Sequence, residues 1–268
     1  MAKRRSFRKK SKSYRKKRRV SRKKSPLRKL IQREISRNVE NKCSQHYDYD
    51  QRLYSAVNAN FPADNIIVLG PDPTSLVINQ GTGQGNRIGN SITTKKFVFR
   101  GTLVPLPYDA TFNAAPQPVQ VRMVIFYDKT DPTAIPNPIA GNDFFQNGNT
   151  SKGFQNDLTD LWSPVNKDRY RVLATRTFKL GMAAYSGTGT NPGQQSFTNN
   201  DFKLNCNFSF NLTKHYPKIV KFNDGTATPT TRGLFCMFYY ALANGGSVPG
   251  SAYMVGAQYM QDYTYEDA

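Results

Sequence analysis

Lys3, Arg4, Arg5, Arg8, Lys9 and Lys10 stand in the first ten residues, and Lys12, Arg15, Lys16, Lys17, Arg18 and Arg19 in the next ten. Arg22, Lys23, Lys24, Arg28, Lys29 and Arg33 continue the series, so residues 1–33 hold 18 cations and no carboxylate. The first acid is Glu34. Ammonium and guanidinium groups at this density do one kind of chemistry: they meet phosphates and release the counterions, which drives binding without reading bases. Like charges so close repel one another, and beyond Met1 residues 1–24 offer only Phe7, Tyr14 and Val20 as sizeable apolar groups. Residues 1–25 are therefore expected to be a disordered polybasic arm until a polyanion condenses them. A nuclear localisation signal would need only part of the run and is compatible with nucleic-acid binding. A transit peptide would space apolar residues along an amphipathic helix, and a merely solubilising surface would mix the two signs of charge. The reading adopted is a nucleic-acid-binding arm that doubles as a nuclear signal.

Other constellations lead nowhere. His46 and His215 are the two histidines, and each is isolated. Cys43, Cys206 and Cys236 form no CxxC pair and read as reduced and structural. No Cys/His cluster has zinc-ligand spacing, so no metal and no cofactor is expected. Asp128 and Asp131 follow an apolar run, where an Asp-Pro turn is ordinary punctuation. "GTGQGNRIG" suggests a phosphate loop but fails on spacing. Gly81 and Gly83 are followed by Asn86 where a third glycine belongs, and no Lys follows as a P-loop requires. A flexible loop is expected there. The chain is read as no enzyme.

The elements that must present the arm come next. The remaining 235 residues carry 20 basic and 18 acidic side chains, a net of +2 against +20 for the whole chain. A near-neutral body thus follows a polycationic arm. No apolar run reaches the length of a membrane span and no signal-peptide core precedes the body, so a soluble chain made in the cytosol is expected. Ser25 as cap, Pro26 at the first helical position and Leu27, Leu30, Ile31 and Ile35 at helical spacing predict a basic amphipathic helix over 26–40. The alternative is a helix that forms only transiently as the arm enters the body.

Residues 41–268 then read as one shell of strands. Eight runs have strand character: 44–56, 91–106, 118–128, 169–181, 201–212, 217–222, 233–243 and 251–265. In "PVQVRMVIFYD", Val119, Val121, Met123, Ile125 and Tyr127 share one face. "GLFCMFYYALA" suits a strand buried on both faces. Long loops over 57–90, 105–117, 129–168 and 182–200 separate the runs, with short helical turns expected in 129–168. Eight strands with few helices point to a β-sandwich or barrel. Two facing sheets of four strands are expected, with a core from Val121, Met123, Ile125, Phe208, Phe210, Phe235 and Phe238. Phe144, Phe145 and Trp162 in the loops are expected to be covered by neighbouring subunits. Lys95, Lys96 and Arg100 on one strand, and Arg169, Arg171 and Arg176 on another, are candidates to extend the arm's surface; a solvated strand face or salt bridges between subunits explain them equally well.

"GNRIGNSITTKKFVFRG" resembles a phrase in the capsid proteins of small circular, Rep-encoding single-stranded DNA viruses, the circovirus-like group. There a G-x-R-x-G-[N/D]-x-I segment leads into a strand; Gly85, Arg87, Gly89, Asn90 and Ile92 carry it here. Val172, Leu173, Thr175, Arg176 and Phe178 in "RYRVLATRTFKL" resemble a later strand phrase of that group. The resemblance implies an all-β fold, an eight-stranded antiparallel jelly-roll sandwich behind a disordered basic N-terminal arm; the short amphipathic helix read over 26–40 and the Lys-rich arm depart from the circoviruses proper. It implies a homo-oligomeric icosahedral shell of about sixty copies around a single-stranded DNA genome. The implied partners are that genome, further copies of the chain, the host nuclear import machinery and a host receptor. The implied locations are the virion and, during assembly, the host nucleus. Two rival readings are a cellular basic nucleic-acid-binding protein with a β-sandwich domain, and a β-sandwich enzyme or lectin with a nuclear signal.

Overall fold

Alternation is the first physical fact of the body. Val119, Val121, Met123, Ile125 and Tyr127 all point to one side of their strand and are buried there. Val124 and Phe126 point to the other side and are buried too. A sheet carrying such strands must be covered twice, and the fold supplies the two covers by different means.

The computed structural model describes residues 41–58, 60–130, 139–146, 152–182, 202–250 and 252–267. The arm, residues 1–25, and the helix expected over 26–40 lie outside them. Among the described residues eleven strands form: β1 (Asn41–Tyr54), β2 (Asn60–Phe61), β3 (Ile66–Leu69), β4 (Ser91–Pro105), β5 (Val119–Asp128), β6 (Ile139–Ala140), β7 (Tyr170–Leu180), β8 (Cys206–Asn211), β9 (Ile219–Lys221), β10 (Leu234–Leu242) and β11 (Tyr253–Asp267). A 3-10 turn covers Ala63–Asn65, and two short helices span Gly141–Phe144 and Leu158–Trp162.

Every strand pairing is antiparallel. One sheet runs β1-β11-β4-β8 with β9 added against β4; the second runs β3-β10-β5-β7; β2 and β6 make a small third. The two large sheets share one core. Phe97, Phe99, Val255 and Tyr263 from the first meet Val121, Met123, Ile125 and Phe238 from the second. The Phe208 ring lies 5.8 Å from that of Phe238 across the gap, tilted by 49° to it.

A second core lies on the far side of the four-stranded sheet. Val124, Phe126, Phe235, Met237 and Tyr239 are covered there by Phe144, Phe145, Phe154, Leu161 and Val165 from the long β5–β7 connection. β10 is accordingly buried at all nine positions, as its unbroken apolar run required. The cover is fastened by polar groups. Asp157 accepts from the backbone N–H of Thr159 and caps the helix Leu158–Trp162. Arg122 on β5 donates to the carbonyls of Leu161 and Ser163 at 2.9 and 2.7 Å.

These findings correct several expectations. The sheets hold five and four strands, not four and four. The region 57–90, expected as loop, contains β2 and β3. β3 pairs β10 through Ile66, Ile67, Val68 and Leu69, an apolar quartet between Pro62 and Gly70 that the period-2 search overlooked because it is only four residues long. Phe235 belongs to the second core, not the first, since it alternates with Phe238's face. Phe210 is only partly buried at the edge strand β8. Phe144 and Phe145 are buried by their own chain, so of the three loop aromatics only Trp162, 72% exposed, is left for a neighbouring copy to cover.

Candidate nucleic-acid interface

The 18 arm cations, Lys3 through Arg33, lie outside the described residues, and the chain enters the body at β1. The outward face of the five-stranded sheet is where Lys96 and Arg100 appear. On β4 inward Phe97, Phe99 and Leu103 alternate with outward Lys96, Val98 and Arg100. Opposite them on β11, Asp262 pairs with Val98, the residue midway between the two cations. Its carboxylate lies 3.0 Å from Lys96 Nζ and 3.6 Å from Arg100. Lys95 pairs with Glu266 at 2.5 Å.

The pairs are not symmetric in depth. The Lys96 and Arg100 side chains are 55% and 51% exposed, while that of Asp262 is 11% exposed. Two cations share one recessed carboxylate, so positive charge stands outermost. Exposed ion pairs of this kind add little stability, and their value lies in the potential they present.

The same carboxylate reaches the other way. Gln45 on β1 approaches Asp262 with its Nε2 at 3.5 Å, and Gln45 Oε1 accepts a hydrogen bond from the Tyr47 hydroxyl at 2.6 Å. Tyr47 is 45% exposed and Tyr49 is 73% exposed. Their rings lie parallel within 2°, with centroids 6.1 Å apart. A β-bulge between Asp48 and Gln51, facing β11, follows directly. In the sequence Tyr47 and Tyr49 stand out only as alternating residues of the strand-like run 44–56, and nothing marks Asp262. Outward aromatics on an otherwise polar strand were the signal available for the first; only the three-strand register reveals the second.

Arg169, Arg171 and Arg176 do not join this face, because β7 belongs to the other sheet. Arg169 pairs with Asp143 at 3.0 Å and Asp128 at 3.5 Å, and Arg176 lies over the Phe178 ring. Asp128 also accepts from the Thr130 N–H and closes a turn. Asp131 lies outside the described residues. Burial pushes the Cys206 and Cys236 thiols up from their ordinary value, which favours the protonated form. Among the described residues no three His, Cys, Asp or Glu gather as a metal cluster would.

The glycine-rich segment is pinned, which corrects the expectation of a flexible loop. Tyr265 donates to Gly85 O at 2.9 Å, Lys42 to Asn86 O at 2.7 Å, and Gly81 N to Arg87 O at 2.9 Å. The segment leads into β4 rather than a helix, so no N-terminal helix dipole faces it. No protein-family model matches this chain, and no curated protein matches its sequence.

Proposed function

We propose that this chain is a viral coat protein that assembles into a small icosahedral shell and packages single-stranded DNA with its N-terminal arm. One observation carries the reading: 18 of the chain's 38 cations fall in residues 1–33, and the all-β body behind them is near neutral. A wall must pack against copies of itself, which a strongly charged surface opposes. A genome must be neutralised, which a dense cationic arm does. About sixty arms together carry on the order of a thousand positive charges, comparable to the phosphates of a small genome. The arm also serves as the nuclear import signal, and the shell meets its host receptor from outside.

The strand order supports a jelly roll. Setting aside the short β2, β6 and β9, the other eight strands counted in chain order lie one–eight–three–six in one sheet and two–seven–four–five in the other. That interleaving is expected of two nested Greek keys, the pattern of capsid and lectin domains. The resemblance of Gly85, Arg87, Gly89, Asn90 and Ile92 to the circovirus-like phrase points the same way.

Deletion of residues 1–33 tests the reading. The truncated chain is expected to fold and to form empty particles in negative-stain micrographs, while its affinity for single-stranded DNA in filter binding collapses together with the salt dependence. Truncated protein that binds as tightly, with the same salt slope, sinks the packaging role. Full-length protein that stays monomeric at every salt and pH sinks the shell.

A further inference from the structure

The outward face of the five-stranded sheet combines two kinds of group that the proposed function has not used together. β1 offers two exposed, parallel tyrosine rings. Two strands away, roughly 10 Å at ordinary strand spacing, β4 offers Lys96 and Arg100. Asp262 ties the two ends into one unit: it holds both cations on one side and meets Gln45, the acceptor of the Tyr47 hydroxyl, on the other. We infer that Tyr47 and Tyr49 are a stacking platform for bases of single-stranded nucleic acid, and that Lys96 and Arg100 take phosphates of the same strand. The inference rests on the packaging reading and adds base contact to it.

The physical case has three parts. Every base has a π-face, so aromatic platforms beside cations hold single strands of any sequence. The Tyr47 ring is oriented before a ligand arrives, because its hydroxyl is already held, and this lowers the ordering cost of binding. In the chain, residues 34–40 alone separate the cationic run 1–33 from β1, the strand that carries the two rings. A second copy is the poorer occupant: two such faces brought together would set Lys96 and Arg100 against their counterparts, and like charges facing one another cost several kcal/mol.

The test is filter binding of the full chain and its variants over a range of salt. The probes are single-stranded oligothymidylate and an abasic deoxyribose-phosphate oligomer of the same length. Tyr47→Leu/Tyr49→Leu is expected to bind oligothymidylate about five- to tenfold more weakly with an unchanged salt slope, and to bind the abasic strand as the parent does. Tyr47→Phe/Tyr49→Phe keeps both rings and should match the parent on the abasic strand and retain most of the oligothymidylate binding, losing only the pre-orientation of the Tyr47 ring. Lys96→Gln/Arg100→Gln should lower the salt slope by about 1.4 on both probes, about 0.7 for each phosphate contact to a single strand. Thermal melting checks each fold; if the double Leu variant unfolds, Tyr49→Leu alone replaces it, since no hydrogen bond depends on that ring in the relay. A Leu variant that binds oligothymidylate like the parent, or weakens on both probes alike, overturns the inference. So does one that binds DNA normally but no longer closes particles, because the face would then be a contact between copies. Failure of the packaging reading shows separately, as an arm-deleted chain that binds undiminished.

Discussion

Arg87 is fully buried, and its guanidinium meets four oxygens, none of them a carboxylate. It donates to the carbonyls of Gly89, Asn223 and Thr226 and to Asn90 Oδ1, and it lies 4.5 Å from the Phe222 ring centroid. One side chain thus staples the segment before β4 to the loop after β9. A planar fork with five donors suits this scatter of acceptors; an ammonium on a flexible stem does not. Arg87→Met is expected to destabilise the chain by about 3 kcal/mol, because buried carbonyls lose a charged donor. Arg87→Lys should recover only part of that. Urea unfolding of unassembled protein checks both, and a Met variant with the parent's midpoint would show that the staple is dispensable.

At the scale of elements, close approach decides what a strand tolerates. Gly101 on β4 faces inward beneath the Phe208 ring. A Cβ there would lie 2.4 Å from Gln258 O, 2.7 Å from Phe208 Cζ and 2.8 Å from Tyr259 Cβ. Gly101→Ala therefore overpacks the seam between β11, β4 and β8 and should destabilise the chain by about 1–3 kcal/mol. The loss should appear first in β8, a six-residue strand held to the sheet by β4, as faster amide exchange over Cys206–Asn211. Exchange that accelerates uniformly across both sheets would contradict this.

At the scale of the whole molecule, the two outer faces are treated differently. The four-stranded sheet is roofed by its own β5–β7 connection. The five-stranded sheet keeps a polar outer face with two bare tyrosines. The buried tyrosines also set the alkaline limit of the fold. Burial pushes Tyr127 and Tyr265 up to about 12, and raises Tyr170, Tyr216, Tyr239, Tyr240, Tyr259 and Tyr263 as well. Unfolded tyrosine ionises near 10, so above that pH the unfolded chain has released protons that the folded chain still holds. Their stabilisation is complete below about pH 10 and is lost as pH rises toward the folded values, at about 1.4 kcal/mol per pH unit for each tyrosine. Phenolate absorbance and the far-ultraviolet circular dichroism signal should therefore change together in one steep step. Phenolates appearing near pH 10 for the buried set, with the sheets intact, would contradict it.

The sequence by itself determined what short-range physics encodes. Charge density separated arm from body. Alternation and β-branched or aromatic composition located β1, β4, β5, β7, β8, β9 and β11, and the unbroken apolar run of β10 predicted burial on both faces. Long-range pairing decided the rest. β3 is too short to announce itself and exists because β10 offers it a partner. Phe235 and Phe238 are equally apolar in the sequence, and only the position of the roof tells which core each enters. The shared role of Asp262 between Gln45, Lys96 and Arg100 depends on register across β1, β11 and β4, and Asp262 stands more than 150 positions from each of its three partners. No local pattern carries that information, since strand register is set by the faces each strand must bury.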